Sequence, residues 1–70
     1  MAHVTYDPKK IRTAIRGRGL TANDISRRSR GALSPNAIRN LEAGRNARVQ
    51  EEKLATLARC LYMSADDLRG

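Results

Sequence analysis

Apolar residues in this chain recur three and four positions apart, and the spacing predicts helices from end to end. Ile11, Ala14 and Ile15 form the inward stripe of a first helix. Asp7-Pro8 supplies its N-cap and first turn, and Gly17 to Gly19 mark its end. Ile25 is the buried position of a second helix, and Ile38 and Leu41, with Ala37 beside them, are the stripe of a third. From Val49 a fourth begins, with Glu51 and Glu52 near its positive N-terminal end and Leu54, Leu57, Ala58 and Leu61 along its core face. Met63-Ser64 breaks that run. Ser64 with Asp67 makes a capping box for a short fifth helix anchored by Leu68. No strand-like alternation, repeat or linker interrupts the series. The expectation is an all-α fold, a compact five-helix bundle spanning residues 8–70 and preceded by an arm at residues 1–7.

The most structured stretch runs from Leu20 to Gly44, LTANDISRRSRGALSPNAIRNLEAG. Thr21 is suited to cap the second helix, with Asp24 three residues on as the reciprocal acid of a capping box. Ser34 is suited to cap the third, and Pro35 falls at the first helical position, where a missing N–H costs nothing. Gly44 is placed as the residue just past the end of that helix. Two capped helices meeting across a turn that contains Gly31 form a helix-turn-helix unit over about residues 20–44.

Leu20-Thr21, Ile25, Gly31, Leu33-Ser34, Ile38, Glu42 and Gly44 fall nearly where Cro/lambda-repressor-type helix-turn-helix proteins have their pattern, and over about residues 9 to 68 the chain resembles that family. Three departures stand out. The link between the helices is about two residues longer than the usual family turn, so Arg30 to Ala32 are expected to form a wider loop, and Ser26 stands where the family has Ala. The family also places an Arg late in its first helix to meet the Glu of the recognition helix, whereas Ile15 stands there in this chain. Arg12 or Arg16 could reach Glu42 instead, or Glu42 could pair with Arg39 or Arg45.

The resemblance implies a lambda-repressor-like domain that binds double-stranded DNA, usually as a repressor of bacterial, phage or plasmid origin acting as a homodimer on a two-fold operator. In such an arrangement the third helix enters the major groove and its outward side chains meet base edges. Those positions are Pro35, Asn36, Arg39 and Asn40, and Asn and Arg suit bidentate contacts with adenine and guanine. Phosphate contacts fall to the start of the second helix (Thr21, Ala22, Asn23), to Ser34, and to Arg45, Asn46 and Arg48 of the loop after Gly44, with Arg27, Arg28 and Arg30 as weaker candidates. Pairing of two copies would fall to the last helix, through Tyr62, Met63 and Leu68.

Charge strengthens the DNA expectation. Of the net +7, residues 8–48 carry eleven Lys/Arg against Asp24 and Glu42, a balance of +9, while residues 49–70 come to −1. So the positive charge belongs to the half that holds the helix-turn-helix pattern, which favours a polyanion partner. Only Tyr6 and Tyr62 are aromatic, too few to stack the bases of a single strand. Seventy residues make one small domain that depends on well-packed helices. Cys60 cannot form an internal bridge and, between Leu57 and Leu61, reads as a small buried hydrophobe. His3 is isolated from any second donor. No glycine-rich phosphate loop, metal-spaced cluster or nucleophile–base pair is present, so neither an enzyme, a cofactor nor a small-molecule substrate is expected. The start MAHVTYDP lacks the pattern of a signal peptide and no run is long enough to span a bilayer, which leads to an expectation of a cytoplasmic, membrane-free protein. Two rival functions use the same features: a protein-interaction module such as an antitoxin or anti-regulator, and a basic double-stranded RNA binder.

Overall fold

In the computed structural model, residues 2–44 and 47–70 are described. The chain is mostly helical and carries a small antiparallel sheet: strand β1 (His3–Thr5), helices α1 (Pro8–Gly17), α2 (Ala22–Arg28) and α3 (Pro35–Ala43), strand β2 (Arg48–Gln50), helix α4 (Glu51–Cys60) and a 3₁₀ turn (Ala65–Leu68).

Each cap legible in the sequence is present. Asp7 accepts from the Lys9 amide at 2.9 Å and starts α1 with Pro8 in its first turn. Thr21 accepts from the Asp24 amide at 3.2 Å, and the Asp24 carboxylate accepts from the Thr21 amide at 3.0 Å, closing the capping box of α2. Ser34 accepts from the Ala37 amide at 3.1 Å at the start of α3, and Gly44 ends that helix in the left-handed region at φ 63°. Ser64 and Asp67 close the last box. A second regularity accompanies these caps, since an apolar residue precedes each one and another follows four positions later: Tyr6 and Ile11, Leu20 and Ile25, Leu33 and Ile38, Met63 and Leu68. All eight belong to the core or pack against it. This is the hydrophobic staple, which fixes the angle at which the chain enters a helix.

The loop between α2 and α3 is wide, as its length predicts. Arg30 and Gly31 both take positive φ, 56° and 83°. Ser29 holds the loop closed: its hydroxyl donates to the Ser26 carbonyl at 2.7 Å and accepts from the Leu33 amide at 3.1 Å. Ile25, Leu33, Ile38, Leu54, Leu57, Leu61 and Leu68 are all essentially inaccessible, so α2, α3 and α4 close on one core. Cys60 lies in it, and desolvation raises its thiol pKa.

The all-α expectation is corrected at both strands. Val4 pairs with Val49, His3 with Gln50 and Thr5 with Arg48. Val49, read as the first residue of the fourth helix, is a buried strand residue, and α4 begins at Glu51. No side chain caps α4; the extended Gln50 (ψ 136°) turns the chain directly from strand to helix. The residues read as an arm are built into the domain. Tyr6 is 4% exposed, its amide donates to the Ala47 carbonyl at 3.0 Å, and the Asp7 amide donates to the Leu68 carbonyl at 2.9 Å. The fifth helix is a single 3₁₀ turn, and its Leu68, read as a contact for a second copy, is 0% exposed and part of the core. Among the described residues no helix is long and apolar enough to cross a membrane.

Candidate nucleic-acid interface

Helix α3 is amphipathic in the sense a reading helix requires. Ile38 and Leu41 are buried on one side, while Asn36, Arg39 and Asn40 are exposed on the other, with Pro35 half-buried at the start. At about 100° per residue, positions 35, 39, 36 and 40 fall within an arc of roughly 140°. The helix is anchored by contacts with both α1 and α2. Its C-terminal end is tied from α1 as well: Arg12 Nη1 donates to the Glu42 carbonyl oxygen at 2.6 Å. Of the arginines left open by the sequence, Arg12 is the one that reaches Glu42 among the described residues, Arg45 lying outside them. Arg12 reaches the backbone of Glu42, where a cation meets the negative end of a helix, and no ion pair joins the Glu42 carboxylate to Arg12, Arg16 or Arg39 among the described residues. The guanidinium of Arg39 is thus left to the outward face.

The start of α2 is more occupied than the sequence suggests. The Thr21 amide donates to the Asp24 carboxylate, so within this set only Ala22 and Asn23 sit at the first helical positions, whose amides have no partner inside a helix. The Asp24 charge also lies there, its pKa lowered first by the hydrogen bond from the Thr21 backbone, then by the Thr21 hydroxyl and by Arg27 and Arg28. A carboxylate at that end competes with an approaching phosphate. Ser34 is exposed, but its hydroxyl is engaged as the α3 cap. Arg45 and Asn46, expected as phosphate contacts, lie outside the described residues. Arg48 is exposed on β2, held in register by its pairing with Thr5.

The structure adds two residues to this face. A groove of about 340 Å³ runs beside α3, lined by Asn40 and Ala37 on one side, Arg48 and Val49 on another and Lys53 from the first turn of α4, with Tyr6 and Leu41 at its base. Lys53 belongs by sequence to the acidic half of the chain, yet it shares a groove with Asn40 and Arg48. Tyr6, within the stretch expected as an arm, is at the base of the same groove. The staple pattern before α1 is the signal in the sequence that points to Tyr6, whereas Lys53 joins this groove only through the packing of separate elements. Burial raises the Tyr6 phenol pKa above its ordinary value.

No known protein family, curated protein or solved structure matches the chain. Among the described residues no group of three or more His, Cys, Asp or Glu side chains is placed to hold a metal ion. Of the three residues expected to pair two copies, Tyr62 is exposed, Met63 is half-buried and Leu68 is internal.

Proposed function

We propose that this chain is a non-enzymatic, sequence-specific double-stranded DNA-binding protein with a helix-turn-helix of the Cro/lambda-repressor type, acting as a small transcriptional regulator, most simply a repressor. The observation that carries the reading is the exposed row Asn36, Arg39 and Asn40 on a helix whose opposite face is locked into the core. Amide and guanidinium groups on a rigid helix match the donor and acceptor pattern of major-groove base edges. Arg48 and Lys53 stand beside that row as backbone contacts. A two-fold complex would pair copies through Tyr62 and Met63.

The test is a titration with a site selected from a random DNA pool, with random-sequence DNA and with double-stranded RNA. Asn36→Ala should cost about 1–3 kcal/mol on the selected site and leave random DNA nearly unchanged. Arg48→Ala should weaken both and lower the slope of log affinity against log salt by about one from an initial value near −5. Equal binding to RNA, or no nucleic-acid binding with a slope near zero, would favour the RNA or protein-partner readings instead.

A further inference from the structure

The end of α2, the loop after it and the last turn of α4 line an open pocket of about 550 Å³, apart from the α3 face. Arg28, Arg30 and Arg59 line it with Tyr62, and no Asp or Glu does. Among the described residues none of these arginines joins an ion pair. Arg28 and Arg59 lie in the last turns of α2 and α4, where a cation suits the negative end of a helix, and Arg30 adds a third like charge to the same cavity.

Tyr62 is the second feature of the pocket. It is 78% exposed, the one large hydrophobic side chain among the described residues left in solvent. Arg28 lies over its ring, 5.5 Å from the centroid, and donates to the Cys60 carbonyl oxygen at 3.4 Å, which fixes the guanidinium between the ring and the end of α4. Both Arg30 and Tyr62 hold the left-handed backbone conformation at φ 56°, which residues other than glycine seldom adopt, and both line the cavity.

The remaining polar groups narrow the ligand class. The Thr56 hydroxyl is spent on the Glu52 carbonyl at 2.9 Å, and the Ser29 hydroxyl on the loop. What the pocket offers is guanidinium donors and a flat ring, with the Thr56 and Tyr62 hydroxyl oxygens as its side-chain acceptors. Guanidinium forks match the oxygens of a phosphate two at a time. A phenol ring with one face held by Arg28 has its other face open for a second planar ring. A volume of this size lies within the range of small-molecule sites.

We propose that the Arg28–Arg30–Arg59–Tyr62 pocket is a binding site for a nucleoside polyphosphate, with the phosphates on Arg30 and Arg59 and the base stacked on Tyr62. The base is held by stacking, which every base face allows, so the site takes adenine and guanine nucleotides alike. Duplex DNA is a poor occupant, because its bases are stacked away from Tyr62 and only its phosphates could enter. The site shares no residue with the α3 face, though Arg28 and Arg30 are weaker phosphate candidates and Tyr62 a pairing candidate in the DNA reading; titrated with nucleotides and without DNA, its failure leaves the reading by α3 untouched.

The experiment is an amide-resolved NMR titration of the full chain with ATP, GTP, inorganic triphosphate, adenosine and hexaglutamate. ATP and GTP should give saturable shifts at Arg30, Ala32, Arg59, Cys60 and Tyr62. Triphosphate alone should bind about tenfold more weakly, the loss expected of one removed stacking contact, and adenosine should not bind measurably. Tyr62→Ala should bring ATP down to the level of triphosphate, and Arg30→Ala with Arg59→Ala should abolish saturation while the far-ultraviolet circular dichroism stays unchanged. Equal affinity for ATP and triphosphate, or shifts of the same size around Arg39, Arg48 and Lys53, would overturn the proposal in favour of diffuse attraction of anions. Hexaglutamate binding as tightly as ATP would overturn it in favour of an acidic protein segment, and the absence of saturable shifts with any nucleotide would overturn it outright.

Discussion

Gly44 is the position where the geometry makes the sharpest demand on the sequence. It ends α3 with φ 63°, donating its amide to the Asn40 carbonyl at 3.0 Å. A Cβ added there would fall 2.6 Å from Pro8 Cβ and closer still to its Cγ, so α1 starts in direct contact with the end of α3. Gly44→Ala therefore meets two costs. The left-handed conformation costs an L residue about 1–2 kcal/mol, and pushing a methyl group into packed atoms costs about 1–3 kcal/mol more. A domain of this length has about 4–10 kcal/mol of stability, so a loss of about 2–5 kcal/mol should lower the melting temperature by about 10–30 °C. Gly19→Ala is the control, because Gly19 has nearly the same φ of 66° with nothing within 4 Å of its Cβ position. It should lose only the backbone share. Thermal and urea unfolding followed at 222 nm would measure both variants, and adding Pro8→Ala to Gly44→Ala should restore part of the difference through a double-mutant cycle. Equal losses in the Gly44 and Gly19 variants, with no coupling to Pro8, would refute the close approach of α1 to α3.

Two further expectations follow from burial. Leu68→Ala should cost about 2–5 kcal/mol in urea unfolding by leaving a cavity, whereas Tyr62→Ala should leave stability within about 0.5 kcal/mol; the reverse order would mean that the last turn is packed the other way round. The thiol of Cys60 and the phenol of Tyr6 both have raised pKa values, from ordinary values of 9.0 and 10.0, because burial opposes their charged forms. The native state thus holds its protons to higher pH than the unfolded chain does, so this part of the stability is complete below about pH 9 and is lost as pH rises through the two native values. The urea midpoint should decline from pH 9 to 11, with a later onset in Cys60→Ala, and a flat profile over that interval would contradict the burial of both groups.

Much of this fold was legible because its signals are local. A cap needs only a hydroxyl or carboxylate within three residues of the amide it serves, so Asp7, Thr21, Ser34 and Ser64 could be read in place, as could Pro35 and the Gly44 stop. The strands could not. Three residues show barely one alternation, and a lone valine in each, Val4 and Val49, looks the same as an apolar residue beside a helix. Val49 was drawn into the fourth helix for that reason, and the absence of a side-chain cap before α4 removed the one mark that would have set its true start. Leu68 is the anchor its capping box predicts, but its full burial takes away the pairing role also expected of it, and its carbonyl accepts from Asp7 at the far end of the chain. The outward row of α3 follows from its buried stripe, since Ile38 and Leu41 fix the side that is left. Lys53 and the arginine pocket depend on how separate helices meet, which no local spacing encodes.

The pairing of β1 with β2 has a consequence for the order in which the molecule assembles. Val4 and Val49 are 45 residues apart, and closing a chain segment of that length costs roughly 3 kcal/mol beyond the constant term of loop closure. The contacts between α2 and α3 span far less chain. Folding should therefore begin around the α2–α3 corner, with the strand pair zipping late, and the same pair should be among the first places to open in the native state. Opening it would release Arg48 from its register with Thr5 while leaving Asn36, Arg39 and Asn40 fixed on their helix. In the proposed complex the grip on the DNA backbone and the reading of its bases would then respond to different parts of the energy landscape, and changes in the first five residues could retune the one without disturbing the other.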